Sequence, residues 1–324
     1  MRTAAISSSH RRVKGQIFLK ASVDSSPAEG TTRTPGSAGA RKHFGLTGPS
    51  VVLDRRVNAV RGDIADIALA GTLFAPHYAR PMERRCVVAT AAVRAKANDD
   101  AELVSELLHG EAFEVIDLSG GWAWGYSAHD HYIGYVREEA LGIARPGMWR
   151  VSARSATLRD APAADAKAIG TLSMGAIVDG SVGDGWLLTD EGAIDRAELV
   201  EANTRLDPVD QAEKLLGAPY LMGGRSEHGI DCSALVQITL SFAGVATPRD
   251  SDQQAESLGQ PLAAGSPLQR GDLAFFPGHV AIMLDAERII HANGRAGAVS
   301  IEPLADLLAR LPADDAAAMT VRRP

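Results

Sequence analysis

Only two cysteines, Cys86 and Cys232, occur among 324 residues, so no disulfide framework holds this chain together. Aromatic residues are scarce at 5%, and the cores must therefore come from the aliphatic part of a 45% apolar composition. Cationic excess is missing too. Lys and Arg number 33 against 40 Asp and Glu, a formal charge of -7 that offers no broad basic face to nucleic acid. No apolar run reaches the eighteen or so residues that a membrane span requires. The first residues, Arg2 and then Ser7 to Arg12, lack an apolar h-region and a small-residue cleavage site. With both thiols read as free, because a single disulfide would consume the one candidate nucleophile, these absences lead us to expect a cytoplasmic protein without nucleic-acid or membrane partners.

The length fits two or three domains. Residues 1–48, rich in Ser, Thr, Gly, Ala and Pro, cannot bury enough apolar area to offset the entropy of ordering and are expected to form a disordered tail. In residues 49–145 the spacing of Ile64, Ile67, Ala68 and Ala70 to Phe74 predicts a helix, followed by short β-type runs separated by Gly, Asp and Ser turns. Residues 146–203 repeat the β theme, with Gly121-Trp122 and Gly185-Trp186 in matching places, so two tandem small barrels are expected. Residues 204–324 read as helices and then strands, an α+β arrangement. Three strings along the way carry little. Arg61-Gly62-Asp63 reads as a turn, Gly180 to Gly185 lacks the Lys-Ser/Thr of a phosphate loop, and His129 with His131 lacks a third metal ligand.

The chemistry concentrates near residue 230. A glycine-rich loop ends at Gly229, and Leu235, Ile238 and Phe242 then mark a helix stopped by Gly244. Asp231 stands at the N-cap and Cys232 in the first turn, where unpaired amides and the helix dipole are expected to lower a thiol's pKa. A buried structural cysteine would explain Cys232 equally well by itself. Two histidines alter the balance. His279 opens one predicted strand after Pro277-Gly278 and His291 ends the next, a spacing that can supply the base a thiol nucleophile needs and a partner to orient it.

Pro219 to Gly224, Gly229 to Leu235, Pro248 to Gln254, Gly271 to Phe276, His279 to Ile282 and Ile290 to Ala292 stand in the order seen in the NlpC family of papain-like cysteine peptidases, which residues 207–311 resemble. The two β units resemble bacterial SH3-like domains, and the whole arrangement is similar to the γ-D-glutamyl-L-diamino-acid endopeptidases of murein-peptide recycling. By that resemblance Cys232 is the nucleophile, His279 the base and acid, His291 its orienter, and Tyr220 a helper of the oxyanion. The substrate implied is L-Ala-γ-D-Glu-diamino acid, its free amine held by Asp231, Ser233 and Ser251 together with Tyr132 and Glu106 of the first barrel. No metal or cofactor is implied. The alternatives are an exported wall hydrolase anchored by its barrels, an acyltransferase on the same core, and a non-catalytic peptide- or wall-binding scaffold.

Overall fold

The structure, a computed structural model, describes residues 53–143 and 145–324. The tail expected over residues 1–48 lies outside them.

Residues 64–74 do not form the helix that their spacing suggests. Ile64–Asp66 is a short strand paired in parallel with His77–Ala79, and only Ile67–Leu69 turns, as a 3-10 helix. Local chemistry explains the difference. The Asp66 carboxylate accepts from the Ala68 N-H and from the Tyr126 hydroxyl, so it closes a tight turn at once. Gly71, at φ 88°, then takes the backbone into the left-handed region before a second helical turn can add.

The first β unit is a seven-stranded antiparallel sheet in the spatial order Leu103–Leu108, Thr90–Arg94, Ile133–Arg137, Trp122–Ser127, Ala112–Ser119, Met82–Cys86, Leu141–Gly142. Alternation puts Phe113 and Val115 inside along one strand, where they meet Val93, Leu107, Ala123 and Val136. Residues 149–201 form a separate β unit with three-stranded and five-stranded sheets and its own core of Val151, Leu172, Leu187 and Ile194. Both units place a 3-10 turn, Glu138–Ala140 or Arg196–Glu198, before their last strand. Between Ser181–Gly183 and Trp186–Leu188 the hairpin turns on Asp184 and Gly185, both with positive φ, as a two-residue loop that matches strand twist requires.

The C-terminal unit begins with helix α1 (Pro208–Lys214), followed by α2 (Cys232–Ala243) and α3 (Ser251–Ser257). A six-stranded antiparallel sheet follows in the order Gln260–Pro261, Thr320–Arg323, Leu273–Phe276, His279–Met283, Arg288–Asn293, Ala298–Pro303, with α4 (Leu304–Arg310) after its last edge strand. α2 is buried along nearly its whole length between α1 and the sheet, its Leu235, Ile238 and Phe242 joining Val280, Ile282 and Ile290 in one core. The α+β order read from the sequence is the order found.

Charged side chains, more than apolar ones, tie the first barrel to the C-terminal unit. Arg225, 3% exposed, forms a bidentate pair with Glu111 at 2.8 and 2.9 Å, and its Nε donates to Gln237. Its backbone N-H donates to the Glu106 carboxylate at 2.6 Å. Gln237 on α2 reaches Asp130, and Arg249 reaches Ser105. A buried pair of this kind contributes little net stability as a pair, yet losing one partner strands the other. Arg225→Met is therefore expected to cost about 3–5 kcal/mol of unfolding free energy, read as a shift of the urea midpoint. Adding Glu111→Gln should restore a good part of that loss; a single variant as stable as the parent would show that the pair is not buried in solution.

Candidate active site

The sequence at the start of α2 accounts for where the thiol sits. Asp231 is the N-cap, its Oδ1 accepting from the Ala234 N-H at 2.8 Å and from the Ser233 hydroxyl at 3.0 Å. Its Oδ2 accepts from the Gly223 N-H at 2.9 Å and from Arg249 Nη2 at 2.6 Å, while Arg249 Nη1 reaches Oδ1 at 3.0 Å. Every lone pair of this buried carboxylate has a donor within the chain, and the pairing with Arg249 holds its pKa below the usual range despite burial. Cys232 follows as the first residue of α2 and is 7% exposed.

The helix start does not give Cys232 the lowered pKa expected of it. Burial, reinforced by the neighbouring Asp231 charge, pushes the thiol up to about 11, and the N-H groups of Val280 and Ser233 offset only part of this. Cys86, the other free thiol, is pushed up to about 12 by burial inside the first barrel and faces the carbonyls of Val88 and Leu107.

His279 begins its strand directly after Pro277-Gly278, a two-residue loop with Gly278 at φ 70°, the pattern of a type II turn. The strand packs on α2, which is how Val280 comes to face the sulfur. On the adjacent strand, His291 is 1% exposed and its Nδ1 lies 2.8 Å from His279 Nε2. His291 Nε2 faces the Glu302 carboxylate and the Asn293 amide nitrogen, each at 3.0 Å. Glu302 is reached diagonally across the strand pair, since His291 stands opposite Ser300. Burial first, and then the nearby His291, push His279 down to about 4. His291 is also held low by burial, opposed by Glu302.

Of these partners the charged one sets the tautomer, since the Asn293 amide, whose oxygen already accepts from the Ala296 N-H, offers His291 Nε2 only a donor. Glu302 is an ionised carboxylate, kept low by Arg310 at 2.6 Å, and is the stronger acceptor for a proton on His291 Nε2. His291 Nδ1 is then free to accept from His279 Nε2-H, which leaves the His279 Nδ1 lone pair as the available base. Neither Glu302 nor Asn293 was singled out in the sequence. The signal for Asn293 was there, because it is two residues beyond His291 and so on the same strand face.

Tyr132, Asp231, Cys232, Ser233 and Ser251 line one cleft of about 280 Å³. Glu106 does not. It is buried, with its carboxylate turned to Arg225, whereas Glu102, at the loop end of that barrel edge, lines the cleft in its place. Asp250 also lines it and accepts from the Tyr132 hydroxyl at 3.0 Å and from Arg56 at 2.8 Å; burial raises its pKa. Tyr220 is half-buried beside Cys232, its ring against Gly294 and its pKa raised by burial and by the cysteine. His129 faces Asp130, and His131 stacks on Tyr126.

A cysteine at the N-terminus of a buried helix, packed against an antiparallel sheet that carries paired histidines, behind a small β-barrel, defines a papain-like fold with an SH3-like domain. Residues 217–309 match the NlpC/P60 family model, and residues 93–141 match the model of the bacterial dipeptidyl-peptidase Sh3 domain. The chain thus carries an NlpC/P60 domain. It is 35% identical over 100 residues to Dipeptidyl-peptidase 6 of Lysinibacillus sphaericus (31% of this chain, 36% of that protein). It is 29% identical over 128 residues to the Gamma-D-glutamyl-L-lysine dipeptidyl-peptidase of Bacillus cereus (37% and 38%). The chain therefore spans little more than a third of the length of these relatives. A crystal structure of an NlpC/P60 family protein from Bacillus cereus shares the fold, with a TM-score of 0.63 at 20% identity over 75% of this chain and 99% of that one.

With the thiol raised and the imidazole lowered by burial, both groups rest neutral rather than as an ion pair. Alkylation of Cys232 by iodoacetamide, followed by peptide mass spectrometry, should keep rising with pH past 9 without a plateau near neutrality. A plateau between pH 5 and 7 would mean that a thiolate–imidazolium pair already exists in the free protein.

Proposed function

We propose that this protein is a cysteine peptidase that hydrolyses the bond between γ-D-Glu and a diamino acid in cell-wall peptides bearing a free N-terminal L-Ala. The observation that carries the reading is the chain of contacts from His279 through His291 to Glu302, set on the strand that packs against the Cys232 helix. A mere peptide-binding scaffold has no use for an oriented imidazole on a strand packed against the helix that bears a buried thiol. The similarity to a Gamma-D-glutamyl-L-lysine dipeptidyl-peptidase supports the bond assigned.

In this mechanism substrate in the cleft displaces water, and Cys232 gives its proton to His279 Nδ1 as the sulfur attacks the γ-carbonyl carbon of D-Glu. The Cys232 N-H at the start of α2, helped by the Tyr220 hydroxyl, stabilises the oxyanion. The C–N bond breaks as His279 returns the proton to the leaving amine. Water then attacks the thioester, loses a proton to His279, and the thiol is restored when that proton passes back to sulfur. No step requires a metal or cofactor. A pair that rests neutral transfers its proton during attack, which is consistent with the raised thiol and lowered imidazole.

The first barrel walls one side of the cleft through Glu102 and Tyr132. We assign capture of the L-Ala ammonium to Tyr132, Ser251, Glu102 and Asp250 acting together, and give Asp231, whose charge Arg249 already matches, the task of holding the helix start. Both cysteines are free, in accord with a reducing compartment, and the reading places the enzyme in the cytoplasm. Three outcomes test it. Under reducing conditions the protein should release the diamino acid from L-Ala-γ-D-Glu-diaminopimelate, and N-acetylation of the L-Ala should lower kcat/KM by about a hundredfold, as loss of one charge-assisted contact network predicts. Cys232→Ser should abolish turnover with a nearly unchanged thermal transition. Failure on the free tripeptide would sink the reading, and equal cleavage of both peptides would remove amine capture from it.

A further inference from the structure

A cavity of about 370 Å³ lies where the three units meet and shares no lining residue with the Cys232 cleft. Arg85 and His129 line it from the first barrel, Arg150 and Ile177 from the second β unit, and Arg225 and Ile238 from the C-terminal unit. Its charges do not balance. Glu111, the one carboxylate in the lining, is already taken by Arg225 at 2.8 and 2.9 Å. Arg85 has Glu83 at 2.8 Å, and His129 faces Asp130 at 3.3 Å. Arg150 has no carboxylate partner among the described residues. Its Nη2 donates to the Ser241 hydroxyl, and its guanidinium carbon lies 3.6 Å from the centre of the Phe242 ring, so α2 holds the side chain in place. Its Nη1 and Nε have no acceptor among those residues. Arg85 Nε is also buried without a partner, so the two buried side-chain donors that lack acceptors among the described residues belong to the lining of one cavity. Burial pulls the pKa of Arg150 down to about 10, against the attraction of Glu111. A cation kept in such a place costs stability, and a bound anion would relieve that cost.

We propose that this cavity is a binding site for a small organic acid, its carboxylate paired with Arg150 and its apolar stem laid against Leu108, Ile177 and Ile238. The class of ligand follows from the walls. One uncompensated cation calls for one negative charge, so a nucleotide or another polyanion brings more charge than the site matches. Glu111 is saturated by Arg225, so an ammonium finds no acceptor there. The apolar walls call for a stem, which a bare inorganic ion lacks. The site stands apart from the peptidase reading, because Arg150 does not line the Cys232 cleft.

Isothermal titration of the full chain at constant ionic strength, with hexanoate, hexanamide and inorganic phosphate as probes, tests the proposal. Hexanoate should bind with a Kd of about a millimolar or below, the scale of one charge-assisted pair and a short buried stem. Hexanamide, which lacks the charge, and phosphate, which lacks the stem, should each bind at least about tenfold more weakly. Arg150→Met should weaken hexanoate by at least about tenfold. Without ligand, the same variant should melt at or above the parent's temperature, because methionine covers Phe242 without an unpaired charge. A variant that melts well below the parent would make Arg150 a brace for α2 and overturn the site. Hexanoate binding that survives in Arg150→Met, a parent that binds no hexanoate, or a parent that binds hexanoate no better than hexanamide or phosphate would overturn it as well.

Discussion

The buried Asp231 carboxylate is the constraint on which the rest of the site depends. It caps α2, accepts from the loop at Gly223, and is matched by Arg249, itself 1% exposed. Removing that charge from water is costly, and the surrounding donors offset the cost only in one arrangement of loop, helix and guanidinium. The thiol of Cys232 is therefore placed by its neighbour's electrostatics as much as by the hydrophobic packing of α2. The same carboxylate helps to raise the thiol's pKa, so positioning and activation pull in opposite directions.

That opposition shapes the chemistry. Burial disfavours both the thiolate and the imidazolium, and the protein makes no large provision for either charge at rest. What it does provide is orientation. Glu302 biases the His291 tautomer, His291 biases that of His279, and Arg310 keeps Glu302 ionised. A base prepared in the correct tautomer needs no reorganisation when substrate excludes water, which is where preorganised groups contribute most.

The C-terminal unit was the most legible part of the sequence, for a physical reason. Its signals are local: an N-cap beside a helix-forming run, Gly244 as a left-handed stop at φ 77°, and Pro-Gly before a strand. The helix expected near Ile64 failed because apolar spacing is a weaker determinant there than the Asp66 side chain and Gly71. Glu106 was misplaced for a different reason. Glu102 and Glu106 stand four residues apart, so alternation alone would give them one face, but the pairing register shifts between Val93 and Arg94 opposite them, and Glu106 turns toward Arg225 while Glu102, just before the strand, lines the cleft. The partners that bind the units, Arg225 with Glu111 and Arg249 with Ser105, lie 114 and 144 residues apart in the chain, and no periodicity reports contacts of that range. Glu302 is legible only once His291 and Ser300 are known to be opposite.

The central claim is that Cys232 carries the acyl half of the substrate as a thioester. Rapid acid quench of the protein during turnover of L-Ala-γ-D-Glu-diaminopimelate, followed by peptide mass spectrometry, reads this directly. The account predicts an L-Ala-γ-D-Glu adduct on the Cys232 peptide that hydroxylamine removes. Turnover that proceeds with an adduct on Cys86, or with acyl transfer to another side chain, would contradict it.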